Sequence, residues 1–240
     1  MKIHEYTQID STNEEARRYA AAGGGAPALF IAEAQSAGRG RMGRSFFSPE
    51  LTGLYASLLI KAPTDTSRML SLTAIAAVAA TDAIKARFGI ELGIKWVNDL
   101  YSGSKKVAGI LAESFVFGGE RFVVIGIGIN LCTEKFPVEL AEKAGSLALT
   151  ACPSREQKRA LALDIAERIL ALLSSDSLES TMQKYRARSC VIGKKITFTV
   201  AGKQTQATAL DISEDGSLAV ELDDGSRLAL SSGEISIFFT

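Results

Sequence analysis

The chain has 240 residues, of which 47% are hydrophobic, and its 27 basic and 27 acidic side chains give a formal net charge of zero. This composition is typical of a globular protein of one or two domains with a sizeable core, and it excludes disordered and fibrous classes. A zero net charge also excludes a global electrostatic attraction to nucleic acid or to anionic lipid.

Membrane and secretion signals are not evident in the sequence. A bilayer span requires about 20 consecutive apolar residues, whereas the most apolar stretch of the longest predicted helix covers only residues 74–80. Residues 1–10 lack the apolar core of a signal peptide. Three widely spaced cysteines favour free thiols in a reducing compartment over a disulfide framework, and a single histidine argues against a zinc site. We therefore expect a soluble, cytoplasmic protein.

The first ninety residues combine two predicted helices with two predicted strands, in the order helix 12–22, strand 28–34, strand 54–60 and helix 66–88. The first helix is indicated by four consecutive N-cap formers at residues 10–13 and ends at three glycines. The second is rich in alanine and apolar on most faces, which predicts packing on both sides. Between the strands, residues 35–48 show no periodicity and are predicted to form a loop.

The remainder of the chain is predicted to be mixed at first and then all-β. Short turns separate apolar runs that predict antiparallel strands at 92–97, 107–117 and 122–129, and amphipathic helices follow at 154–173 and 178–188. Five β-rich runs come next, at 196–200, 205–212, 218–222, 227–230 and 234–239, with hairpin turns at 201–202, 215–216 and 224–225. We therefore predict an α+β domain over residues 1–188 and a small β-barrel over residues 189–240.

The loop after the first predicted strand carries three arginines, Arg39, Arg41 and Arg44, among glycines that include Gly38 and Gly40. It formally matches the G-x-G-x-x-G motif of dinucleotide sites, but no predicted helix follows it to hold a pyrophosphate. Glycines let backbone amides approach an anion, and guanidinium groups bind carboxylate or phosphate oxygens. We predict an anion site, the alternative being a solvated loop that pairs with surface carboxylates.

A second cluster joins Lys95, Trp96, Asn98 and Asp99 to Lys106 across a short turn. If the two lysines lie on neighbouring strands of a hairpin, the turn holds both amines near one end of the pair. Each residue alone has a simpler explanation, because Asn-Asp is a common turn and exposed lysines protect edge strands. The combination favours a functional site.

A third cluster is the glycine-rich run that contains Gly126 and Gly128 and ends at Asn130. Glycines weaken a strand, so they mark a bulge or the close approach of a ligand or another part of the backbone. Asn130 would then present its amide at the end of that strand.

Together these segments resemble the biotin protein ligase family, in particular its monofunctional members without an N-terminal DNA-binding domain. The matching pieces are Ser11-Thr12-Asn13, Gln35 with residues 38–41, Lys95-Trp96 with residues 98–100, Lys106 with residues 108–110, Gly126 with residues 128–130, and residues 233–236. The resemblance implies a class II synthetase-like mixed sheet followed by an SH3-like β-barrel. The chain departs from the family at Met42, Phe46, Val97 and Phe238, and the last departure argues against a phosphate contact from the barrel.

The resemblance also implies the chemistry. The enzyme would use ATP and Mg²⁺ to convert biotin into biotinyl-5'-AMP, and would then transfer biotin to a lysine of the biotin carboxyl carrier protein of acetyl-CoA carboxylase or a related carboxylase. The motif Ser11-Thr12-Asn13 comes almost directly after Met1, so we expect no DNA-binding domain and no repressor function. We expect no membrane association, and a homodimer is compatible with the sequence.

The resemblance assigns roles to individual residues. The catalytic residues would be Lys106, Arg39 and Asp99. Biotin would be bound by Ser11, Thr12, Asn13, Gln35, Arg39, Gly40, Arg41 and Lys106. The nucleotide would be bound by Gly38, Arg41, Arg44, Lys95, Trp96, Asn98 and Asn130. No protein side chain is assigned as a direct metal ligand, and helix capping alone would also explain Ser11 and Thr12.

Two other functions remain open at this point. A lipoate or octanoate protein ligase or transferase has a related fold, but its substrate has a linear apolar tail that would make little use of a polar pocket at residues 11–13. A vitamin-sensing regulator would bind without transferring and would need a DNA- or partner-binding module.

Overall fold

The computed structural model describes residues 1–175, 177–200 and 203–237, without the side chains of Leu70 and Val200. Its elements in chain order are β1 (Lys2–Ile9), α1 (Thr12–Ala21), β2 (Ala28–Gln35), β3 (Gly53–Lys61), α2 (Thr66–Phe88), β4 (Gly93–Lys95), β5 (Asp99–Ser102), β6 (Lys105–Phe117), β7 (Glu120–Asn130), α3 (Val138–Ala141), α4 (Arg155–Ser174), α5 (Leu178–Ala187), β8 (Lys195–Val200), β9 (Lys203–Ile212), β10 (Leu218–Leu222), β11 (Arg227–Leu230) and β12 (Ile235–Ile237). Across the described residues, every helix is either too short or too polar to cross a bilayer.

Seven strands form a mixed sheet in the order β1-β2-β3-β7-β6-β5-β4, in which β1 runs parallel to β2 and the other neighbours are antiparallel. Alternate residues of β2 point to opposite faces. Leu29 and Ile31 belong to the large core beneath α2 and α4, whereas Phe30 packs with Ala16 and Ala20 of α1. The predicted α+β fold class is therefore confirmed.

The predicted elements agree closely with the structure except near two edges of the sheet. The helix over residues 66–88 has the predicted limits. The strand β1 was not predicted, because half-exposed edge residues give only a weak apolar alternation. The predicted strand 92–97 is shorter, and residues 99–102 form a separate strand that pairs Lys95 with Asp99.

The arginine-rich loop is a compact hairpin. Its backbone is closed by Gly40 N donating to the Arg44 carbonyl at 2.7 Å and by Phe46 N donating to the Gly38 carbonyl at 2.8 Å. Met42 and Gly43 make the turn with positive φ angles of 56° and 75°. Residues 45–48 are not helical, which agrees with the rejection of a dinucleotide site.

The last five strands form an antiparallel sheet in the order β11-β10-β9-β8-β12, as the SH3-like prediction requires. The predicted turn at 201–202 and the residues of the last run from Phe238 onward lie outside the described residues. The segment between α5 and β8, which leads into this sheet, is bonded to the larger sheet at β4: Ile94 N donates to the Arg188 carbonyl at 2.8 Å, and Cys190 N donates to the Ile94 carbonyl at 3.0 Å.

The prediction of free thiols was wrong for two of the three cysteines. Cys132 and Cys152 form a disulfide with their Cα atoms 5.5 Å apart, and Cys190 is free. Both sulfur atoms lie against the loop before β3, at 3.5 Å from the Thr52 carbonyl and 3.2 Å from the Leu51 carbonyl. The separation of 20 residues concealed this pairing, because the chain leaves β7 and returns to the same loop before α4 begins.

Candidate active site

A cavity of about 530 Å³ lies under the arginine hairpin, and this volume is within the range of small-molecule sites. It is bounded by the start of α1, the glycine-rich parts of β6 and β7, the strands β4 and β5, the segment 140–144 and the segment 233–237. Pieces of the chain that are far apart in sequence therefore meet around one space.

Twelve of the predicted site residues line this cavity: Ser11, Thr12, Asn13, Gln35, Arg39, Gly40, Arg41, Arg44, Lys95, Asn98, Asp99 and Lys106. The structure thus brings together the hydroxyl and amide motif at the start of α1, the hairpin arginines and both predicted lysines. Their convergence is the geometric condition that the predicted site required.

The start of α1 forms a polar end of the cavity. Gln35 accepts a hydrogen bond from Thr12 N at 2.8 Å through Oε1 and donates one to Ser48 Oγ at 3.0 Å through Nε2. The Thr12 hydroxyl lies 2.7 Å from Ser57 Oγ, and within the described chain Ser11 makes no side-chain capping bond although it occupies the N-cap. Helix capping therefore does not explain these hydroxyls, which face the cavity instead.

The glycines of β6 and β7 form the floor of the cavity. A side chain at Gly126 would collide with the Asn13 amide, and one at Gly128 would collide with the Phe46 ring. Gly109 faces Gly128 across the two strands and lies against both Phe46 and Lys106. The sequence predicted that a ligand or another part of the protein approaches these glycines closely. In the structure the approaching groups are the side chains of Asn13, Phe46 and Lys106.

Basic side chains outnumber acidic ones in the wall of the cavity. Six basic side chains line it against three acidic ones: Arg39, Arg41, Arg44, Lys95, Lys106 and Lys143 against Asp99, Glu142 and Glu234. Lys106 Nζ lies 2.7 Å from Asp99 Oδ1. The excess of positive charge around the cavity would therefore attract an anionic ligand, even though the whole chain is neutral.

Lys95 is one of the partly buried cations of the cavity wall. Burial lowers its pKa, while the nearby carboxylates of Asp99 and Glu234 partly offset that effect. Its Nζ also lies 5.6 Å from the centre of the Tyr101 ring, within the range of a cation–π contact. Two residues of β5, Asp99 and Tyr101, therefore lie near this amine.

The arginine hairpin is anchored on both sides of the cavity. Arg39 pairs with Glu14 of α1 and donates to Glu113 of β6 at 3.1 Å. On the other side Arg44 donates to Glu234 at 2.6 Å. The structure therefore contains features of both predictions for this loop, since the arginines line a cavity and also pair with carboxylates.

Arg41 joins the hairpin to both sheets. It donates to Asn98 Oδ1 at 3.2 Å and to the Gly233 carbonyl at 3.3 Å. Asn98 in turn donates to the Ile110 carbonyl at 2.7 Å. The hairpin is thus held as a lid across the cavity by contacts that include the smaller sheet.

Three predicted nucleotide residues are not brought to the cavity wall. Trp96 is buried and donates to the Gly216 carbonyl at 2.8 Å, so it joins the two sheets instead. Gly38 lies beneath the hairpin, where a side chain would collide with the Phe46 carbonyl and Ser48. Asn130 is buried and donates to the Gly145 carbonyl at 2.9 Å. Membership of a motif therefore does not determine whether a residue lines the cavity.

Four residues around the cavity were not assigned to the site from the sequence. Ser57 and Glu113 lie within ordinary strands and carry no motif, and Lys143 lies in a segment without periodicity. Glu234 does belong to the resembling segment 233–236, which was the one signal that could have indicated it. The C-terminal part of the chain therefore contributes directly to the site, through a residue that directly precedes the last strand of the smaller sheet.

Two family models match the chain. The biotin/lipoate A/B protein ligase family matches residues 7–130, and the biotin protein ligase C terminal domain matches residues 191–237. Because the first match covers more than half of the chain, the chain belongs to the biotin/lipoate A/B protein ligase family.

Individual relatives agree with this membership. The biotin--[acetyl-CoA-carboxylase] ligase of Mycobacterium tuberculosis is 30% identical over 242 residues, which cover 95% of this chain and 86% of the relative. The bifunctional ligase/repressor BirA of Bacillus spizizenii is 39% identical over 143 residues, covering 58% of this chain. The chain spans 44% of the length of that BirA protein.

Among solved structures, the fold matches the biotin protein ligase from Aquifex aeolicus in complex with biotin and ATP. The TM-score is 0.83 at 24% identity, and the match covers 100% of this chain and 99% of the other. At this identity the likeness establishes the fold, including the large mixed sheet and the smaller C-terminal sheet.

Proposed function

We propose that this chain is an ATP-dependent biotin protein ligase. It forms biotinyl-5'-AMP and transfers biotin to a lysine of the carrier domain of acetyl-CoA carboxylase or a related carboxylase. One observation carries the proposal: a single cavity has a hydroxyl and amide end at Thr12 and a cationic end at Lys106, joined by a glycine floor. A cyclic urea suits the first end, and a carboxylate beside a triphosphate suits the second.

In the first step, a biotin carboxylate oxygen attacks the α-phosphorus of ATP, and pyrophosphate leaves. Both reactants are anionic, so fixed cations must offset their repulsion. Lys106 holds the carboxylate and the α-phosphate together, and Arg39 and Arg41 close over the same centre. Lys95 and Asn98 serve the nucleotide. The lid also excludes water from the reactive mixed anhydride.

In the second step, the amine of a carrier lysine attacks the acyl carbon, and AMP leaves. An ordinary lysine has a pKa of about 10.4, so the amine must lose a proton before or during attack. Asp99 is the carboxylate that lines the reacting end beside Lys106, and it accepts that proton or orients the amine.

Biotin is preferred over lipoate for two reasons. The polar end is lined by hydroxyl and amide side chains at residues 11–13 and 35, for which a linear apolar tail would have little use. The match of residues 191–237 is to the C-terminal domain of biotin protein ligases in particular. The relatives from Mycobacterium and Aquifex are likewise named for biotin.

Mg²⁺ is proposed to enter with the nucleotide. Two acidic side chains of the wall are already paired, Asp99 with Lys106 and Glu234 with Arg44. Mg²⁺ commonly keeps several waters and is held largely by substrate phosphates, and this arrangement suits the cavity. When bound, the metal would reduce the negative charge of the triphosphate.

The remaining assignments follow from this reaction. We assign residues 1–188 to a catalytic domain and residues 189–240 to the smaller barrel, which contributes Glu234 to the lid contacts. The carrier protein is the partner, DNA is not, and the reaction is placed in the cytoplasm, where ATP is abundant. A homodimer is compatible with these assignments.

ATP–pyrophosphate exchange tests the proposal. The purified chain should exchange labelled pyrophosphate into ATP when biotin is added, and should show no exchange with lipoate or octanoate. Exchange driven by lipoate alone would support the lipoate ligase. Binding of biotin without exchange and without transfer to a carrier domain would support a regulator.

A further inference from the structure

We propose that Cys132 and Cys152 form a thiol–disulfide switch that controls how firmly part of the cavity wall is held. They bracket residues 133–151, here called the bridged loop. With the disulfide closed, as in this structure, the bridged loop is fixed and ATP binds more tightly. With both thiols free, the loop moves more readily and ATP binds less tightly. The effect on ATP rests on the proposed function, whereas the effect on the loop does not.

The bridged loop forms part of the cavity wall, and its two ends meet at the chain segment before β3. Cys132 N donates to the Thr52 carbonyl at 2.9 Å. At the other end, Cys152 Sγ lies 3.2 Å from the Leu51 carbonyl. The disulfide joins these ends covalently, so it reduces the number of conformations that the residues between them can adopt. The loop residues that line the cavity are Leu140, Glu142, Lys143 and Ala144.

The bridged loop also pairs with the backbone of Lys106, the residue proposed to hold biotin and ATP together. Lys106 N donates to the Lys143 carbonyl, and Gly145 N donates to the Lys106 carbonyl, both at 2.8 Å. Lys105 Nζ donates to the Ala141 carbonyl at 3.1 Å. A change in how firmly the loop is held therefore affects the start of β6 and the reacting part of the cavity.

Non-covalent packing holds the bridged loop only weakly. No side chain from residue 134 to residue 146 is buried, and the buried side chains of Thr133 and Leu147 lie on either side of this stretch. The ring of Phe136 contacts that of Phe47 with the centroids 6.1 Å apart, but Phe136 is itself only half-buried. Segments with few buried apolar contacts open at a small cost in free energy. The disulfide therefore contributes substantially to fixing the middle of the loop.

The pair can change state because one of its two residues is accessible. Cys152 is exposed, whereas Cys132 is half-buried. A thiolate of a dithiol reductant attacks Cys152 Sγ, the S–S bond breaks, and Cys132 leaves as a thiolate that takes up a proton. The second thiol of the reductant then displaces Cys152 from the mixed disulfide. Two electrons and two protons thus pass to the pair, the reductant becomes a disulfide, and an oxidised dithiol reverses the sequence.

Both states are compatible with the surrounding backbone. A free thiol is a weak hydrogen-bond donor, and each one would have a carbonyl within reach. The Thr52 carbonyl lies 3.5 Å from Cys132 Sγ, and the Leu51 carbonyl lies 3.2 Å from Cys152 Sγ. Neither cysteine lines the cavity, and cytosolic disulfides are usually transient and either catalytic or redox-sensing. The position of the pair and the cytoplasmic location proposed above therefore favour a sensing role.

Amide hydrogen exchange tests the effect on the loop in the protein without substrates. Adding dithiothreitol to the wild type should raise the exchange rates of residues 138–146 at least about threefold and leave those of α2 unchanged. Cys190→Ser keeps the pair and should respond like the wild type, whereas the double variant Cys132→Ser/Cys152→Ser should exchange at the faster rate with or without dithiothreitol. Equal exchange in both states, or a disulfide that dithiothreitol does not reduce in the folded protein, would overturn the switch.

Calorimetric titration with ATP tests the link to the substrate. Reduction of the wild type and of Cys190→Ser should raise the Kd for ATP about threefold or more, because a mobile loop must be ordered on binding. The double variant should show the higher Kd in both conditions. If the wild type catalyses biotin-dependent exchange but binds ATP equally in both states, the link is overturned and the ligase proposal stands. If that exchange is absent, the ligase proposal and the link both fail, and amide exchange still decides the switch.

Discussion

Lys106 and Asp99 face each other across the strands β6 and β5 with Nζ and Oδ1 2.7 Å apart, and both side chains line the same cavity. Their side chains are only 34% and 19% exposed, so each charge depends on the other more than a surface pair would. Lys106 is proposed to hold biotin and ATP together, and Asp99 is proposed to receive the carrier lysine. The ion pair therefore connects the residues of the two reaction steps.

Replacing Lys106 by alanine should abolish most of the first step. The variant loses the cation placed between two anionic reactants and leaves Asp99 facing them without its partner. We expect biotin-dependent ATP–pyrophosphate exchange to fall at least about tenfold, because a close charge pair in a partly buried site is worth more than about 1.4 kcal/mol. Lys61→Ala, which removes an exposed lysine paired with Glu120 on the surface, is the control. Exchange at the wild-type rate in Lys106→Ala would exclude this role.

Replacing Asp99 by asparagine should separate the two steps. The amide keeps the shape of the side chain but cannot accept a proton, so acylation of a carrier domain should slow by about tenfold or more. Adenylate formation should change less, since Lys106 keeps its charge. Single-turnover transfer from preformed biotinyl-5'-AMP measures the second step alone, and an equal loss in both steps would contradict the assignment.

The contact between Arg44 and Glu234 should affect retention of the intermediate more than stability. The two side chains are 63% and 49% exposed, so the pair should contribute less than about 1 kcal/mol to folding. We expect Glu234→Gln to keep its melting temperature but to release more free adenylate, detected as biotinylation of bystander proteins. Unchanged release would show that this contact does not hold the lid.

The same pair has a defined pH dependence. Arg44 holds the pKa of Glu234 below its usual range. A carboxylate with a lowered pKa in the folded state stabilises the fold above its unfolded pKa of about 4.3, and that contribution disappears as the pH falls through the lower folded value. The difference in adenylate release between wild type and Glu234→Gln should therefore persist at neutral pH and shrink only well into the acid range.

Much of the fold could be predicted because its periodic elements are also its buried elements. The limits of α2 followed from an Ala-rich apolar run, and β2 and β3 followed from short apolar stretches. The edge strand β1 was not predicted, because its sequence pattern is half polar. The disulfide between Cys132 and Cys152 was not predicted, because it depends on a chain reversal that local sequence patterns do not indicate.

The candidate site could be predicted only where a motif carried it. The three arginines and two lysines were identified because their types and spacing are unusual for a neutral chain. Ser57 and Glu113 could not be, since a serine or a glutamate within a strand is common and its role depends on which residue lies across the sheet. Trp96 and Asn130 illustrate a second limit, since both belong to a motif and yet both side chains are buried.

Replacing Lys95 by arginine should change how nucleotide binding depends on pH. Burial lowers the pKa of Lys95, so this lysine loses its charge at a lower pH than an ordinary lysine, whose pKa is about 10.4. Between the folded and the ordinary pKa, the neutral amine attracts phosphate less, and ATP affinity in the wild type should fall. A guanidinium group stays protonated throughout that range, so Lys95→Arg should bind ATP with little change on the alkaline side. Calorimetry at a series of pH values from 7 upward measures the ATP affinity of the wild type and of Lys95→Arg. If the two affinities change with pH in the same way, Lys95 does not contribute charge to nucleotide binding.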